Sequence, residues 1–396
     1  MPMSVGPGLP IPEEDPVQLS TFSYSASSGW SEDLPQVDSP ETLVVAFGAP
    51  EFGDDTRPFD DLARAFPTSR IVGCSTAGEI IGTDLCDHSV VVAAARFDSS
   101  TLRTACAAVP ASDGSYAAGQ DIARQLADPS LRGVLVLSDG LTVNGSELVR
   151  GLGAILPPEV VITGGLAADG DRFASTWVLD GSAPARGIVR GVGLYGDDLR
   201  LGHGSMGGWD NFGPERTVTR SRSNVLFELD GRPALDLYKQ YLGELAGGLP
   251  ATGLLFPLAI RPGEADEASV VRTILAVDED AQSMTFAGDV PEGWRAQLMR
   301  ANVDRLIDGA AGAALMTARP GAGDVPTLAL GISCVGRRLV LGERTQEEIE
   351  AAVDQLPTGT EQIGFYSYGE ISPQASGLCE LHNQTMTLTT IREAVG

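Results

Sequence analysis

The sequence predicts a mixed α/β (α+β) protein in which mostly antiparallel or mixed sheets are covered by helices and two domains pack intimately. Short β-rich runs alternate with helical segments from residue 42 onward. A nearly all-β stretch follows between residues 175 and 229. Tight polar turns such as Asp180-Gly181 separate the strand-like runs, and they favour antiparallel pairing over a doubly wound parallel sheet.

The first half alternates strands and helices. Apolar, β-branched runs predict buried strands, which cover residues 42–47, 70–72, 133–137 and 160–163. Apolar residues at spacings of three and four predict helices over residues 59–66, 116–126 and 146–156. Pro157-Pro158 closes the last of these helices, because proline cannot continue a helix.

The second half of the chain also combines predicted strands and helices, after a glycine-rich segment. Strands are predicted over residues 254–260, 270–277, 283–287, 327–334, 362–365 and 384–391, and helices over 233–245, 295–307 and 345–356. Gly247-Gly248-Leu249-Pro250 is the predicted domain boundary. We therefore expect a disordered lead-in rich in proline and serine over residues 1–40, an N-terminal domain over 41–246 and a C-terminal domain over 247–396.

Composition narrows the classes of function. The net charge of −26 would repel phosphate backbones and anionic lipid, so neither nucleic acid nor a membrane is expected as a partner. The longest apolar run, residues 90–95, is far too short to span a bilayer, and the N-terminus has no secretory signal. Five widely spaced cysteines without a C-x-x-C pair indicate reduced thiols. We expect a cytoplasmic protein.

Two short glycine-rich segments share a pattern. Gly73-Cys74-Ser75-Thr76-Ala77-Gly78-Glu79-Ile80 and Gly364-Phe365-Tyr366-Ser367-Tyr368-Gly369-Glu370-Ile371 have Gly, Gly, Glu and Ile at the same offsets, each after an apolar run. We call them the two glycine corners and expect a strand, a glycine turn and a carboxylate in each. The carboxylates at such corners either accept backbone amide bonds or bind a ligand's ammonium or guanidinium group. The corners are expected to face related environments and could share one cleft.

Other residues carry candidate chemistry. Ser75 or Cys74 with His203 or His382 as base would make a hydrolase, since such groups assemble across space. Haem needs only one axial imidazole and an apolar pocket, which His203 or His382 could supply. Two G-x-G-x-x-G segments, starting at residues 191 and 202, lack the following helix that a dinucleotide site requires.

A third group follows the predicted strand 327–334. Arg337 could pair with an anionic ligand or with a carboxylate of the protein. Cys334 lies beside Arg337 and Arg338, and this proximity predicts a thiol with a lowered pKa.

In their order along the chain, these motifs resemble the FIST family. The resemblance rests on the two glycine corners, Gly164-Gly165 with Asp169-Gly170, Gly202-His203-Gly204 followed by Trp209, Glu228 to Ala234, Ser333-Cys334-Val335-Gly336-Arg337, and Leu381-His382-Asn383-Gln384-Thr385. It covers residues 40–392 and implies a FIST N-terminal and a FIST C-terminal domain. It also implies a sensory module that binds a small ligand, such as an amino acid. No room remains for an output domain, so a separate partner protein is expected to receive the signal.

One subgroup that the chain is similar to binds haem, senses nitric oxide and acts on a histidine kinase, so this function is the alternative. Our leading hypothesis is a sensor without catalytic activity and without a metal. Its expected ligand-binding residues are Cys74, Ser75, Thr76, Glu79, Gly164, Gly165, His203, Cys334, Arg337, Tyr366, Glu370, His382 and Asn383.

Overall fold

The computed structural model describes residues 17–263, 269–318, 325–374 and 377–394. The mixed α and β architecture predicted from the sequence is confirmed. Among the described helices, none is both long and apolar enough to cross a membrane. The chain folds as three successive units with the same strand order, and the third unit carries a large insertion.

The units are defined by their elements. The first consists of β1 (Val17–Ser25), β2 (Gly29–Trp30), β3 (Thr42–Gly48), α1 (Arg57–Ala65), β4 (Arg70–Ser75), β5 (Glu79–Ile81), β6 (Asp84–Cys86) and β7 (Ser89–Phe97). The second consists of β8 (Thr101–Ala108), α2 (Ser115–Leu126), β9 (Leu131–Ser138), α3 (Gly145–Gly153), β10 (Val161–Leu166), β11 (Val178–Asp180), β12 (Ala183–Ala185) and β13 (Ile188–Tyr195).

The third unit begins with β14 (Leu199–Met206). Its insertion consists of β15 (Trp209–Arg222), β16 (Val225–Leu229), β17 (Arg232–Pro233), α4 (Ala234–Leu242), β18 (Leu258–Arg261), β19 (Val270–Arg272), β20 (Ile274–Asp278), β21 (Ser283–Phe286) and β22 (Arg295–Ala301). The unit then continues with α5 (Val303–Thr317), β23 (Thr327–Cys334), α6 (Val335–Leu341), α7 (Thr345–Val353), β24 (Thr360–Ser367), β25 (Gly369–Pro373), β26 (Cys379–His382) and β27 (Met386–Glu393).

Four equivalent strands of each unit lie side by side in a sheet of its own, and the short β2 extends the first of these sheets. The orders are β4-β3-β7-β1, β10-β9-β13-β8 and β24-β23-β27-β14. In each sheet the first two strands listed are parallel, and the return strand is antiparallel to its neighbour. This mixed pairing is why the sequence showed both α/β and antiparallel features.

The three units exchange hairpins in a cycle. Hairpin β5–β6 of the first unit pairs with β24 of the third unit. Hairpin β25–β26 of the third unit pairs with β10 of the second. Hairpin β11–β12 of the second unit pairs with β4 of the first. Each glycine corner is the point where the chain passes from one sheet to the next. The apolar faces of the sheets share continuous cores that include residues from all three units.

Two predictions about secondary structure are wrong. The lead-in is not disordered between residues 17 and 40, because β1 pairs with β7 along its whole length; residues 1–16 lie outside the described residues. The helix predicted over residues 295–307 is instead strand β22 followed by the start of α5. Leu298 and Met299 of β22 are buried between neighbouring strands, so tertiary packing overrides the local helical spacing.

Candidate functional site

The glycine corners are built on close contacts between backbones. A Cβ atom at Gly73 would lie 2.0 Å from the carbonyl oxygen of Ala46, and one at Gly364 would lie 1.9 Å from that of Gly331. Gly164 holds the same place in the second unit: its Cβ would lie 1.8 Å from the carbonyl oxygen of the neighbouring strand, and its φ is +143°. Only glycine allows this close approach, so Gly164-Gly165 is the third corner.

The carboxylates of the two predicted corners have matching partners. Glu79 accepts hydrogen bonds from the hydroxyl of Thr76 and from the backbone N–H and hydroxyl of Ser89. Glu370 accepts them in the same way from the hydroxyl of Ser367 (2.7 Å) and from the backbone N–H and hydroxyl of Thr385 (3.2 and 3.0 Å). Both carboxyl groups are buried, and burial raises the pKa of Glu79 to about 7 and that of Glu370 to about 8. The corners therefore face related environments, and these carboxyl groups have structural partners.

The candidate nucleophiles are closed off from solvent. Cys74, Ser75 and Cys334 are all completely buried. Ser75 Oγ accepts a hydrogen bond from the backbone N–H of Trp177, which places it inside the corner. The lowered pKa predicted for Cys334 is wrong: burial raises the pKa of this thiol far above its ordinary value and outweighs the nearby guanidinium of Arg337. These positions do not support a hydrolase.

Arg337 pairs with a carboxylate of the protein. Its guanidinium and the carboxylate of Glu348 are 2.6 Å apart, and both side chains are completely buried. Arg337 also donates to the carbonyl oxygens of Gly207 (3.3 Å) and Leu306 (2.7 Å), and Tyr366 donates its hydroxyl to Glu348 (3.1 Å). Through these hydrogen bonds, Arg337 and Glu348 join the residue after β14 and helix α5 to the second corner.

Asn383 is another buried member of the predicted set. It donates to the carbonyl oxygen of Tyr368 (3.2 Å) and accepts from the backbone N–H of Thr273 (3.3 Å), which joins the insertion to the second corner. Gly165 lies opposite Glu370 in the pairing of β10 with β25.

Both predicted histidines line one cleft of about 440 Å³. We call it the histidine cleft; it is lined by His203, Gly204, Ser205, Met206, Gly207, Met316, Pro373, Gln374, His382 and Thr385. His382 Nε2 donates to the carbonyl oxygen of Ser372 (3.0 Å), and burial lowers the pKa of this imidazole to about 4. His382 is therefore neutral at physiological pH. No Asp, Glu, Lys or Arg is found among the described residues that line this cleft.

A second cleft, of about 270 Å³, contains none of the predicted site residues. We call it the charged cleft; it is lined by Pro50, Glu51, Gly53, Asp54, Asp169, Arg172, Ala174, Ser175, Trp177, Pro184 and Arg186. Its residues come from the segment after β3, from the loop that follows the third corner, and from β12 and the residue after it.

Residues of both charge signs line the charged cleft. Arg186 is exposed and makes no hydrogen bond or ion pair with any described residue, and Arg172 uses only its Nε, which donates to the carbonyl oxygen of Asp169 (2.6 Å). Asp54 is likewise exposed and unpaired within the described chain, whereas Glu51 pairs with His88. The indole of Trp177 lies against Gly53 and forms an apolar wall. This arrangement suits a ligand that carries both charges.

The loop that lines the charged cleft is joined to the second corner. The buried carboxylate of Asp169 accepts from the hydroxyl of Tyr368 and from the backbone N–H groups of Ala174 and Ser175 (both 2.8 Å). The ring of Phe173 stacks on Tyr368, with centroids 5.0 Å apart and planes 10° apart. Restraint of the loop by a ligand would therefore act directly on Tyr368.

Sequence reasoning missed the charged cleft. Asp169-Gly170 was noted only as part of a motif, and Glu51, Asp54, Arg172 and Arg186 lie in connecting segments without a shared pattern. The feature of the sequence that could have indicated this cleft is the position of Asp169 shortly after the strand that carries Gly164-Gly165. No cluster of three or more His, Cys, Asp or Glu side chains is placed to hold a metal ion in the described part of the chain.

Comparison with known families agrees with this architecture. The sequence model of the FIST N domain matches residues 42–232, and that of the FIST C domain matches residues 234–373. These matches span most of the chain, so the protein belongs to the FIST family. FIST domains are sensory domains that bind small ligands in signal transduction. A search of curated proteins found no match to this chain.

Proposed function

We propose that the protein is a cytoplasmic sensor that binds an amino acid or a similar small zwitterion in the charged cleft and signals through a separate partner protein. The observation that carries the proposal is that two arginines and the acidic residues Glu51 and Asp54 line one cleft of about 270 Å³. Arg172 and Arg186 would hold the carboxylate of the ligand, because a guanidinium matches a carboxylate with two parallel hydrogen bonds. Glu51 and Asp54 would hold its ammonium group, and Trp177 would contact its side chain.

Calorimetric titration with a panel of amino acids, and with their amides as ligands that lack the carboxylate, tests this proposal. Arg186→Gln is expected to weaken binding at least about tenfold, since it removes a charged hydrogen bond worth about 1.5–3 kcal/mol. Its melting temperature should not change, because Arg186 has no partner among the described residues. Arg222→Gln, at another exposed arginine with no partner among them, is the matched control.

Two results would refute the amino-acid proposal. One is the absence of binding by every zwitterion in the panel. The other is binding that neither Arg186→Gln nor Asp54→Asn weakens, since such a ligand would lie elsewhere in the molecule.

The second candidate function is haem-dependent sensing of nitric oxide with a histidine kinase as partner. It is favoured by the placement of both candidate axial residues, His203 and His382, in one cleft with the thioethers of Met206 and Met316. The neutral His382 has the hydrogen bond from its second ring nitrogen to a carbonyl that haem-ligating and metal-ligating imidazoles use. Bound haem would supply an iron atom that takes up nitric oxide.

An absorption spectrum tests the haem candidate. Haemin added to the purified protein should give a saturable Soret band that shifts with nitric oxide after reduction. Loss of the band in His382→Ala or in His203→Ala would name the axial residue. A spectrum identical to that of free haemin would exclude this function.

A further inference from the structure

Two arginines lie directly opposite each other in the third sheet. Arg200 of β14 is paired with Arg392 of β27 in the antiparallel register, so both side chains point to the same face and their Cβ atoms are about 5 Å apart. Like charges in this position repel each other. Within the described ranges of the chain, Arg392 makes no hydrogen bond or ion pair, and Arg200 donates only from Nη1, to the carbonyl oxygens of Asp197 (2.7 Å) and Leu199 (2.9 Å).

A second pair of opposed arginines shows what is missing. Arg261 of β18 and Arg295 of β22 are also directly opposite each other. There the chain supplies a carboxylate, because Glu215 lies 2.5 Å from Nη2 of Arg261 and 3.7 Å from Nε of Arg295. A carboxylate that pairs with two guanidinium groups offsets their repulsion. No carboxylate of the described residues takes this place beside Arg200 and Arg392, although the chain has 53 acidic residues.

Both arginines line one small cavity, together with Thr317, Thr327 and Thr390. We call it the arginine cavity; its volume of about 20 Å³ is enough for about one water molecule or one oxygen atom of a ligand. Thr317 and Thr327 donate their hydroxyls to backbone carbonyl oxygens. Thr390 is only 7% exposed, and its hydroxyl has no hydrogen-bond partner in the part of the chain that the structure describes. A buried hydroxyl without a partner is costly, which indicates that a further group belongs here.

The end of helix α5 offsets only a small part of the positive charge. Thr317, the last residue of α5, lines the cavity, and the helix has no basic residue in its last turn. A helix C-terminus is equivalent to about −0.5 charge, so the two guanidinium groups keep a net charge of about +1.5. A phosphoryl group carries about −1.5 to −2 charge at pH 7 and neutralises this excess. A carboxylate, with one negative charge, does not.

We propose that the arginine cavity binds a phosphate ion, or the phosphoryl group of a small metabolite, between Arg200 and Arg392. One oxygen of the anion enters the cavity and accepts a hydrogen bond from the hydroxyl of Thr390. The two guanidinium groups hold the outer oxygens, since their planar pairs of N–H groups match a phosphate. Arg200 is exposed, so the outer side of the anion faces solvent, where the rest of a metabolite would lie.

This site goes beyond the proposed sensory function and is independent of it. The arginine cavity shares no residue with the charged cleft or the histidine cleft. Failure of phosphate binding would therefore leave the amino-acid and haem proposals intact, and their failure would leave the phosphate site intact.

Calorimetric titration of the intact protein with inorganic phosphate, in a chloride buffer, tests the proposal. We expect saturable binding that Arg392→Gln weakens at least about tenfold, because this change removes one of two charged donors. Thr390→Val removes only the hydroxyl and should weaken binding at least about threefold. Without phosphate, Arg392→Gln should melt no lower than the wild type, because it relieves the repulsion between like charges. Arg222→Gln, at an exposed arginine with no partner among the described residues, is the matched control and should bind phosphate normally.

Two further ligands identify the source and the class of the anion. Methyl phosphate that binds as tightly as inorganic phosphate would assign the site to a phosphomonoester, whereas its exclusion would assign the site to free phosphate. Acetate should bind at least about tenfold more weakly than phosphate, because it carries less charge. Equal affinity for acetate would overturn the assignment to a phosphoryl group.

Two other results would overturn the proposal. One is the absence of saturable phosphate binding. The other is phosphate binding that Arg186→Gln abolishes and Arg392→Gln leaves unchanged, since that anion would lie in the charged cleft. Arg392→Lys provides a second variant if Arg392→Gln does not fold: it keeps the charge, loses the paired N–H groups and should also weaken binding.

Discussion

The buried carboxyl groups of Glu79 and Glu370 make stability depend on pH. Sequence reasoning left open whether these groups bind a ligand or bond to the backbone, and the structure shows backbone N–H and hydroxyl donors on both. Their pKa values, raised by burial from 4.5 to about 7 and about 8, mean that the folded protein holds protons that the unfolded chain releases. The resulting stabilisation is complete below the unfolded value and is lost as the pH rises through the folded values.

We therefore expect the free energy of unfolding to fall by up to about 7 kcal/mol between about pH 5 and about pH 9, since the two folded values lie about two and three units above pH 5 and one pKa unit corresponds to about 1.4 kcal/mol. Urea unfolding across this range measures the fall. Glu370→Gln mimics the neutral carboxyl group and should flatten the part of the curve above about pH 7. Glu244→Gln, at an exposed glutamate, should keep the wild-type curve. A Glu370→Gln curve that runs parallel to the wild type would show that this carboxyl group does not titrate as described.

At the level of strands and turns, the glycine corners impose the strictest requirement. Gly364→Ala would place a methyl group 1.9 Å from the Gly331 carbonyl oxygen, and the parallel strands would have to separate. We expect the free energy of unfolding to fall by more than about 3 kcal/mol, which is in the range of severe core disruptions. Gly153→Ala is the control, because nothing lies within 4 Å of its Cβ position and alanine favours helices by about 0.5–1 kcal/mol. Thermal denaturation of both variants measures these effects. A Gly364→Ala protein as stable as the wild type would contradict this requirement.

The same elements show how far sequence reasoning reaches. Helix α2 was found within a few residues because its apolar spacing agrees with its packing, and α3 because prolines follow it closely in the sequence. Two corners were found because both keep the Gly-Glu-Ile ending, but the third, at Gly164, has a different ending and was not recognised as equivalent. Strand β22 was mistaken for helix because only its neighbours β15 and β18 determine its conformation.

The candidate site was predictable only in part. His203 and His382 were identified, yet nothing in the sequence indicates that β14 and β26 place them in one cleft. Buried members such as Arg337 were identified by their residue type, but their partners depend on the fold. The charged cleft depends on three loops that the exchange of β11–β12 into the first sheet brings together. Contacts of this kind have no local signature in the sequence.

Because hairpins are exchanged between the units, we expect the molecule to unfold as a single cooperative unit, although its family matches are two domains. Division between residues 232 and 233 would separate β5 from β24, β14 from β27 and β10 from β25. Each fragment would then expose strand edges and apolar faces that belong to shared cores.

We expect residues 1–232 and 233–396 to be unfolded or aggregated when expressed alone and to form a stable complex when co-expressed. Circular dichroism and size-exclusion chromatography measure this, with the intact chain expected to unfold in one transition. Cooperative unfolding of either fragment alone would mean that the exchanged strands contribute little to the free energy of unfolding. The two domains would then be energetically independent.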